Sequence, residues 1–188
     1  NLYLYGNGNS VSYNCGINAL GSFSSIKNCI IFSFYYGIYG ENAHNAYIAN
    51  CVIQACDSGM YLQCENERVI GNTCYGNAGF WVFGANSTAS GNICNANTIG
   101  IVVVGDRSTV SGNVCYNNEI GIQPRSANIV VSGNVAMRGS GIASDYTSSQ
   151  YTINVSGTYC LIVDNMIMGK NYTNRGGATN AFANNKYN

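Results

Sequence analysis

Apolar residues recur along the chain in short runs, and Gly, Asn, Ser or Thr interrupts nearly every run. In Ile101-Val102-Val103-Val104 the alternation typical of a strand places the first and third residues on one side, and Ile129-Val130-Val131 is a similar β-branched run. The helix formers Lys, Glu and Gln are scarce. This pattern predicts short β-strands separated by turns, in an all-β fold.

The runs follow a period of about 21 residues. One series of asparagines recurs at steps of 20 to 22 residues, at Asn7, Asn28, Asn50, Asn72, Asn92, Asn113 and Asn134. A second series, in which each glycine precedes an apolar residue, consists of Gly16, Gly37, Gly59, Gly79, Gly100, Gly121 and Gly141. A repeat of this length is too short for a helix pair with its turns, but it matches one coil of three short strands. The sequence therefore predicts a β-solenoid of about seven to nine coils.

Aligned on the asparagines, four coils have closely similar sequences: Gly71-Asn72-Thr73-Cys74, Gly91-Asn92-Ile93-Cys94, Gly112-Asn113-Val114-Cys115 and Gly133-Asn134-Val135-Ala136. Asparagine tolerates left-handed backbone angles, and stacked amides can form hydrogen bonds from coil to coil. We therefore expect the asparagine to lie at a turn. The residue two positions later is expected to point into the core, in a column of Ile30, Val52, Cys74, Cys94, Cys115 and Ala136.

These repeats resemble those of the right-handed parallel β-helices of the pectate-lyase-like superfamily, of the carbohydrate-binding and sugar-hydrolase type. The resemblance covers about residues 2–143 well and the remainder loosely. It implies a right-handed single-stranded parallel β-helix. It does not select one function, because this fold is found in lyases, hydrolases, epimerases, phage tailspikes and inert spacers.

The chain is expected to form a single domain over residues 1–188, because no linker or low-complexity segment divides it. After Gly141 the period breaks, and the next asparagine of the series is Asn165, 31 residues beyond Asn134. This step predicts a loop insertion at about residues 144–158. The first residue is Asn1 rather than Met, so we expect a fragment of a longer chain or a processed product.

Composition excludes some partners. The formal net charge is zero, with 8 basic and 8 acidic residues, so no basic face is expected to bind nucleic acid or an anionic membrane. No apolar run approaches the length of a membrane span. The nine cysteines follow the repeat and are interpreted as small buried hydrophobes. Disulfides between adjacent coils and a metal site are the alternatives; the absence of Cys-x-x-Cys pairs and the single His44 argue against a metal, and no cofactor is expected.

The residue two after each glycine of the second series should point away from the core. In three successive coils this residue is aromatic: Tyr39, Tyr61 and Trp81. Flat aromatic faces stack on sugar rings, so these residues, with Gln123 and Arg125 further along, are candidates for an elongated carbohydrate site. The alternative is that the aromatic row packs against another subunit.

Charged residues beside this row suggest a second site. Glu65 and Asp106 fall at equivalent positions two coils apart, so their backbones should be about 9.6 Å apart, similar to the carboxylate spacing of inverting glycosidases. Together with Arg107 they are candidate catalytic residues, and solvated ion pairs on turns are the alternative. The motifs of the resembling enzymes argue against activity: Pro124-Arg125 is the nearest approach to the pectate-lyase arginine motif, and the polygalacturonase motifs are missing.

Three functions remain open at this point, and whether the protein is an enzyme is left undecided. The first is a phage tailspike or similar surface appendage that binds polysaccharide or a cell-surface glycan. The second is a secreted polysaccharide lyase, hydrolase or epimerase. The third is a structural repeat that forms fibres end to end. The expected location is extracellular or on a virion surface, and self-association is expected as a homotrimer or an end-to-end fibre.

Overall fold

A computed structural model describes residues 2–6, 14–19, 21–42, 44–76, 79–82, 84–138, 151–169 and 172–187. The described residues form 25 short strands and no helix, as the alternation of apolar and polar residues predicts. Successive coils contribute one strand to each of three sheets, and neighbouring strands of every sheet are parallel. The chain is therefore a three-sided parallel β-solenoid.

The strands of each sheet lie three apart in chain order. Sheet A consists of β1 (Leu2–Tyr5), β4 (Cys29–Phe32), β7 (Val52–Gln54), β10 (Thr73–Tyr75), β13 (Ile93–Asn95), β16 (Val114–Tyr116), β19 (Val135–Met137), β22 (Met166–Met168) and β25 (Lys186–Tyr187). Sheet B consists of β2 (Cys15–Ala19), β5 (Tyr36–Glu41), β8 (Ser58–Gln63), β11 (Phe80–Val82), β14 (Ile99–Val103), β17 (Ile120–Pro124), β20 (Tyr151–Val155) and β23 (Thr173–Asn174). Sheet C consists of β3 (Ser25–Lys27), β6 (Tyr47–Ala49), β9 (Arg68–Ile70), β12 (Thr88–Ser90), β15 (Thr109–Ser111), β18 (Val130–Ser132), β21 (Leu161–Val163) and β24 (Ala181–Ala183).

Each corner between two sheets contains a residue with a left-handed backbone. Between sheets C and A these residues are Asn28, Asn50, Gly71, Gly91, Gly112, Gly133, Asp164 and Asn184, with φ from 53° to 66°. Between sheets B and C they include Asn45, Asn66, Asn86, Arg107 and Asn128. Between sheets A and B they include Ser33, Ala55, Gly76, Ala96 and Asn117. Gly, Asn and Asp predominate at two corners because they adopt this conformation at the lowest cost.

The asparagine ladder is confirmed from Asn72 onward, but in the two preceding coils the ladder position lies one residue after the asparagine of the series. Its members are Asn72, Asn92, Asn113, Asn134, Asn165 and Asn185, which bond to one another from coil to coil. Asn28 and Asn50 instead occupy the left-handed corner, and Cys29 and Cys51 follow them in the ladder column. The prediction that Ile30 and Val52 point into the core is therefore wrong: both point outward, and Ile31 and Ile53 are the inward residues of these coils.

The core is a stack of inward columns from the three sheets. Sheet A contributes Ile31, Ile53, Cys74, Cys94, Cys115, Ala136 and Ile167, all almost fully buried. The column after the glycine series contributes Ile38, Met60, Phe80, Ile101 and Ile122 from sheet B, as predicted. Glycine is required before this column: a Cβ on Gly100 would collide with the carbonyl oxygen of Gly121 in the next coil.

The coil that begins at Asn134 is 31 residues long, ten more than the period of about 21 residues. Asn134 bonds directly to Asn165 across 31 residues, so the ladder continues past the insertion without losing register. The predicted loop, residues 144–158, is too long at its carboxyl end, because Tyr151–Val155 forms strand β20 and pairs with β17. Residues 144–150 and Gly141 lie outside the described residues.

Replacing Asn113 with Ala should destabilise the protein by about 3 kcal/mol or more, because it leaves the buried backbone amide of Asn92 without its partner and removes three further buried bonds, to the side chains of Asn92 and Asn134 and to the carbonyl of Ala89. Asn117→Ala is the matched control, since Asn117 is exposed and Ala already occupies its corner position in two other coils. Urea unfolding followed by circular dichroism gives both free energies. Equal losses in the two variants would contradict a dominant role of the ladder.

Candidate functional site

A cluster of tyrosines covers the outer face of sheet B near its start. The rings of Tyr39 and Tyr61 stack, with centroids 5.7 Å apart and planes 6° from parallel. Tyr36 packs against both, at centroid distances of 5.0 Å and 5.4 Å. The parallel register of β5 and β8 places Tyr39 beside Tyr61, so the stack follows directly from the repeat. The side chains of Tyr36, Tyr39 and Tyr61, here called the tyrosine cluster, are only half-buried.

Polar side chains hold the phenol groups of this cluster. The hydroxyl of Tyr39 donates a 2.7 Å hydrogen bond to Oε2 of Glu41, and Nε2 of Gln63 donates a 2.8 Å bond to the hydroxyl of Tyr61. The bond to Glu41 is the main reason that the pKa of Tyr39 is raised to about 12. Both pairs are two residues apart on one strand, so they stand side by side on the outer face. The cluster therefore combines flat apolar rings with adjacent hydrogen-bonding groups.

A concavity of about 250 Å³ lies beside the cluster, lined by Cys15, Asn18, Tyr36, Tyr39 and Glu41. It is smaller than a pocket for a drug-sized ligand. An elongated ligand would therefore place only part of itself in this concavity and lie along the rings for the rest.

The other candidates for sugar binding are not equivalent to these tyrosines. Trp81 pairs with Tyr61 through its backbone and so occupies the same row; its side chain lies outside the described part of the structure. The row then passes through Val102 and Gln123, which are both buried. The prediction that the Gln123 side chain is exposed on the outer face is therefore wrong. Its amide oxygen accepts a 2.7 Å hydrogen bond from Nη2 of Arg125, which is itself exposed.

The charged candidates do come together. An open groove of about 460 Å³ at the corner between sheets B and C is lined by His44, Gln63, Glu65, Gly84, Ala85, Val104, Gly105, Asp106, Arg107 and Ser126. Ala85 lies between Glu65 and Asp106 in register, which confirms that the backbones of these two residues are two coils apart. We call this feature the charged groove.

Asp106 and Arg107 both have structural partners within the charged groove. Asp106 accepts hydrogen bonds from the hydroxyl of Ser126 and from the amide of Ala127 in the next coil, and these bonds lower its pKa. A carboxylate held in its ionised form is a poor proton donor. Arg107 adopts a left-handed backbone, and its Nε donates a 3.0 Å hydrogen bond to Oδ1 of Asn86. Glu65 is exposed, and Nδ1 of His44 accepts a 3.3 Å bond from its amide.

Sequence reasoning missed Glu67, which lies two residues after Glu65. Glu67 is only 1% exposed and neither of its carboxylate oxygens reaches a hydrogen-bond partner among the described residues. It lies in an inward column with Ser87 and Ser108, whose hydroxyls accept bonds from the amide of the preceding coil. Burial raises the pKa of Glu67 to about 8, and the nearby amide and thiol of Cys64 offset this only in part. Asn66 at the left-handed corner is the signal that could have identified the next residue as inward.

The cysteines behave as the small core residues that the repeat predicts. All nine are free thiols, and all except Cys15 are buried. Burial raises the pKa of the Cys51 thiol to about 11, which keeps it protonated and unreactive at neutral pH. Within the described ranges, no three His, Cys, Asp or Glu side chains are arranged to hold a metal ion. The same part of the chain has no helix that is long and apolar enough to cross a membrane.

The fold and the two surface sites define a β-helical protein with an aromatic outer face. The model of the family described as the right handed beta helix region matches residues 3–123, which is more than half of the chain. The protein belongs to this family, and the coils are therefore right-handed. Comparisons with curated proteins and with solved structures found no match.

Glu67 should make the stability of the protein depend on pH. Because its pKa is raised in the folded protein, the folded state holds its proton more tightly than the unfolded state does. Its contribution is therefore fully present below the ordinary pKa of 4.5 and is lost as the pH rises towards about 8. Glu67→Gln should remove this loss, as measured by urea unfolding from pH 5 to pH 9.

Exposed Glu65, two residues earlier, provides the control for this measurement. Glu65→Gln should retain the pH dependence of the parent protein. A pH profile of Glu67→Gln that matches the parent would show that Glu67 does not carry this effect.

Proposed function

We propose that this protein is a rigid β-helical rod that binds polysaccharide through the tyrosine cluster of sheet B. The observation that supports this function best is the parallel stack of Tyr39 and Tyr61, flanked by Glu41 and Gln63. Aromatic faces accept the apolar faces of sugar rings, while adjacent carboxylate and amide groups accept and donate hydrogen bonds to sugar hydroxyls. The cluster offers both kinds of contact on one surface.

The direction of the cluster favours a polymer over a small sugar. Tyr39 and Tyr61 come from adjacent strands of one sheet, so the row runs along the axis of the rod rather than into a closed cavity. The register continues this row to Trp81 in the next coil. A chain of sugar units lying along the rod would meet one ring after another. Each contact is weak alone, and affinity would come from their sum.

The setting that fits this site is a surface appendage such as a phage tailspike or tail fibre, located on a virion or outside the cell. Three features support this interpretation. The core is held by hydrogen bonds and apolar packing, and its free thiols do not require an oxidising compartment. Strands of successive coils are hydrogen-bonded in all three sheets, and this continuous bonding is expected to make the rod stiff. Charge is low, at 9% of residues.

Binding should depend on Tyr61. A glycan array probed with the purified protein would identify the polysaccharide, and isothermal titration would then compare variants on that glycan. Tyr61→Ala should weaken binding about tenfold or more, because it removes half of the stack and the partner of Gln63. Tyr159→Ala, at an exposed tyrosine on the corner between sheets B and C, four coils further along the rod, is the matched control and should bind like the parent. Equal affinity of all three proteins would contradict the proposed site.

Cleavage of the glycan is a second candidate function, favoured by one observation: the charged groove brings Glu65, Asp106 and Arg107 together with His44. In this scheme Glu65 would protonate the leaving oxygen as the glycosidic bond breaks, and Asp106, held ionised by its hydrogen bonds, would take a proton from the water that attacks the sugar carbon. The hydrogen bonds of these residues argue against cleavage, because Asp106 already accepts a bond from Ala127 and Arg107 already donates one to Asn86. Both side chains therefore stabilise the corner between sheets B and C. Binding without cleavage is therefore the function that the geometry supports better.

Release of reducing ends from each glycan that binds distinguishes the two functions. The binding function predicts no release above the background of a heat-denatured sample. If release is seen, Glu65→Gln should abolish it while leaving binding intact, and Glu119→Gln, at another exposed glutamate, should not. Release that requires Glu65 would overturn the assignment as a binding rod and establish a glycoside-cleaving enzyme.

A further inference from the structure

The outer surface of sheet A is unusually apolar for an exposed face. Outward positions of its strands form a row of Ile30, Val52, Thr73, Ile93, Val114 and Val135, which continues to Met166. Val52, Ile93 and Val114 are 38%, 40% and 38% exposed. The second row beside it consists of Tyr5, Phe32, Gln54, Tyr75, Asn95, Tyr116 and Met137, so only Gln54 and Asn95 in it are polar, and Tyr3 precedes Ile30 in the first row. We call these two outward rows the apolar face.

Exposed apolar residues are concentrated on this one face. Among the described residues, seven of the twelve large hydrophobic side chains that are exposed belong to its two rows: Tyr3, Tyr5, Val52, Tyr75, Ile93, Val114 and Met166. Single exposed hydrophobic residues are common, but a contiguous patch of this kind marks an interaction surface.

Charge is almost missing from the apolar face. Lys186, at its end, is the one charged residue among the outward positions of the described strands of sheet A. By contrast, the outer face of sheet B carries Glu41 and Arg125, and that of sheet C carries Lys27 and Arg68 over the ring of Tyr47. Two uncharged faces can be buried together without desolvating an ion. This composition selects a partner surface that is itself apolar and uncharged.

We infer that the apolar face binds the same face of a second copy of this chain, forming a twofold dimer of rods. The spacing of the rows identifies the partner. Side chains in each row repeat at the distance between parallel strands, about 4.8 Å, and a surface with a different repeat would lose register with them after a few coils. A second copy has the same repeat, so its rows can fit between these rows along the whole face.

The size of the face determines how the two copies overlap. Nine strands at about 4.8 Å spacing give a face roughly 40 Å long and about 12 Å wide. The flat area of this face, roughly 480 Å², lies just below the ~600 Å² that the smallest specific interfaces bury on each partner. Two copies therefore need to overlap over the full length, and the dimer should dissociate reversibly on dilution.

Full overlap places one strand at the centre. β13 is the fifth of the nine strands of sheet A. A twofold axis lying between the two faces, either along the rods or across them, brings β13 of one copy opposite β13 of the other. In both arrangements Ile93, which points outward from β13, lies close to Ile93 of the second copy.

Sedimentation equilibrium from about 1 µM to about 1 mM tests this dimer. The parent protein should show a reversible equilibrium between monomer and dimer. Val114→Lys places a charge on the apolar face and should weaken association at least about tenfold. Leu161→Lys is the matched control, because Leu161 is 39% exposed on sheet C, against 38% for Val114 on sheet A. This control should associate like the parent.

Three outcomes would overturn the inference: a parent protein that stays monomeric over this range, a trimer or an open filament, or equal weakening by the two lysine variants. Circular dichroism verifies that each variant is folded.

A second experiment does not depend on Val114→Lys folding. Ile93→Cys places an exposed thiol at the centre of the face, and a short homobifunctional thiol reagent should link two copies at concentrations where the dimer forms. Leu161→Cys should not be linked by the same reagent beyond the level of the parent, whose native thiols are buried except for Cys15. Equal linking of the two variants would contradict face-to-face pairing.

Discussion

The hydrogen bond that an asparagine side chain makes to the next coil is the interaction on which the rest of this structure depends. In the coils from Asn72 onward the amide oxygen of the ladder residue accepts bonds from the preceding coil, while its nitrogen donates to backbone carbonyl groups, as at Asn113. These groups are buried in a cross-section that is filled by side chains, where an unpaired polar atom is costly. Because the ladder connects successive coils at a constant offset, it also sets the register of all three sheets. Even the 31-residue coil between Asn134 and Asn165 returns to that register.

Much of the fold could be predicted because each coil needs an inward apolar residue and a turn residue at the same positions as the coil before it. The inward column of sheet B and the continuation at Asn165 follow from spacing alone. The early coils misled the alignment because Asn28 and Asn50 satisfy a different requirement, a left-handed corner, one residue before the ladder. One residue type thus serves two adjacent positions, and only the hydrogen-bond pattern separates them. Burial of Glu67 could not be read from its own identity, since charged residues seldom occupy such a column.

The three faces of the rod have become chemically distinct although the backbone beneath them is nearly the same. Sheet B carries stacked tyrosines with polar partners, sheet A carries β-branched and aromatic rows with almost no charge, and the corner between sheets B and C carries Glu65, Asp106 and Arg107. Outward side chains do not pack in the core, so the residues of one face can change without altering the fold or the other faces. Sequence alone located Tyr39 and Tyr61 correctly in one row. It could not show that Asp106 bonds to Ser126 and Ala127, because such partners depend on side-chain geometry.

Hydroxyl-radical footprinting of the protein, with and without a polysaccharide that it binds, tests most directly whether the outer face of sheet B is the recognition surface. We expect Tyr39 and Tyr61 to become protected from oxidation when the glycan is present. Tyr159, exposed at a corner, should be oxidised equally in both samples. Protection at Tyr159 or in the charged groove, with Tyr39 and Tyr61 unchanged, would contradict the assignment of the tyrosine cluster as the binding site.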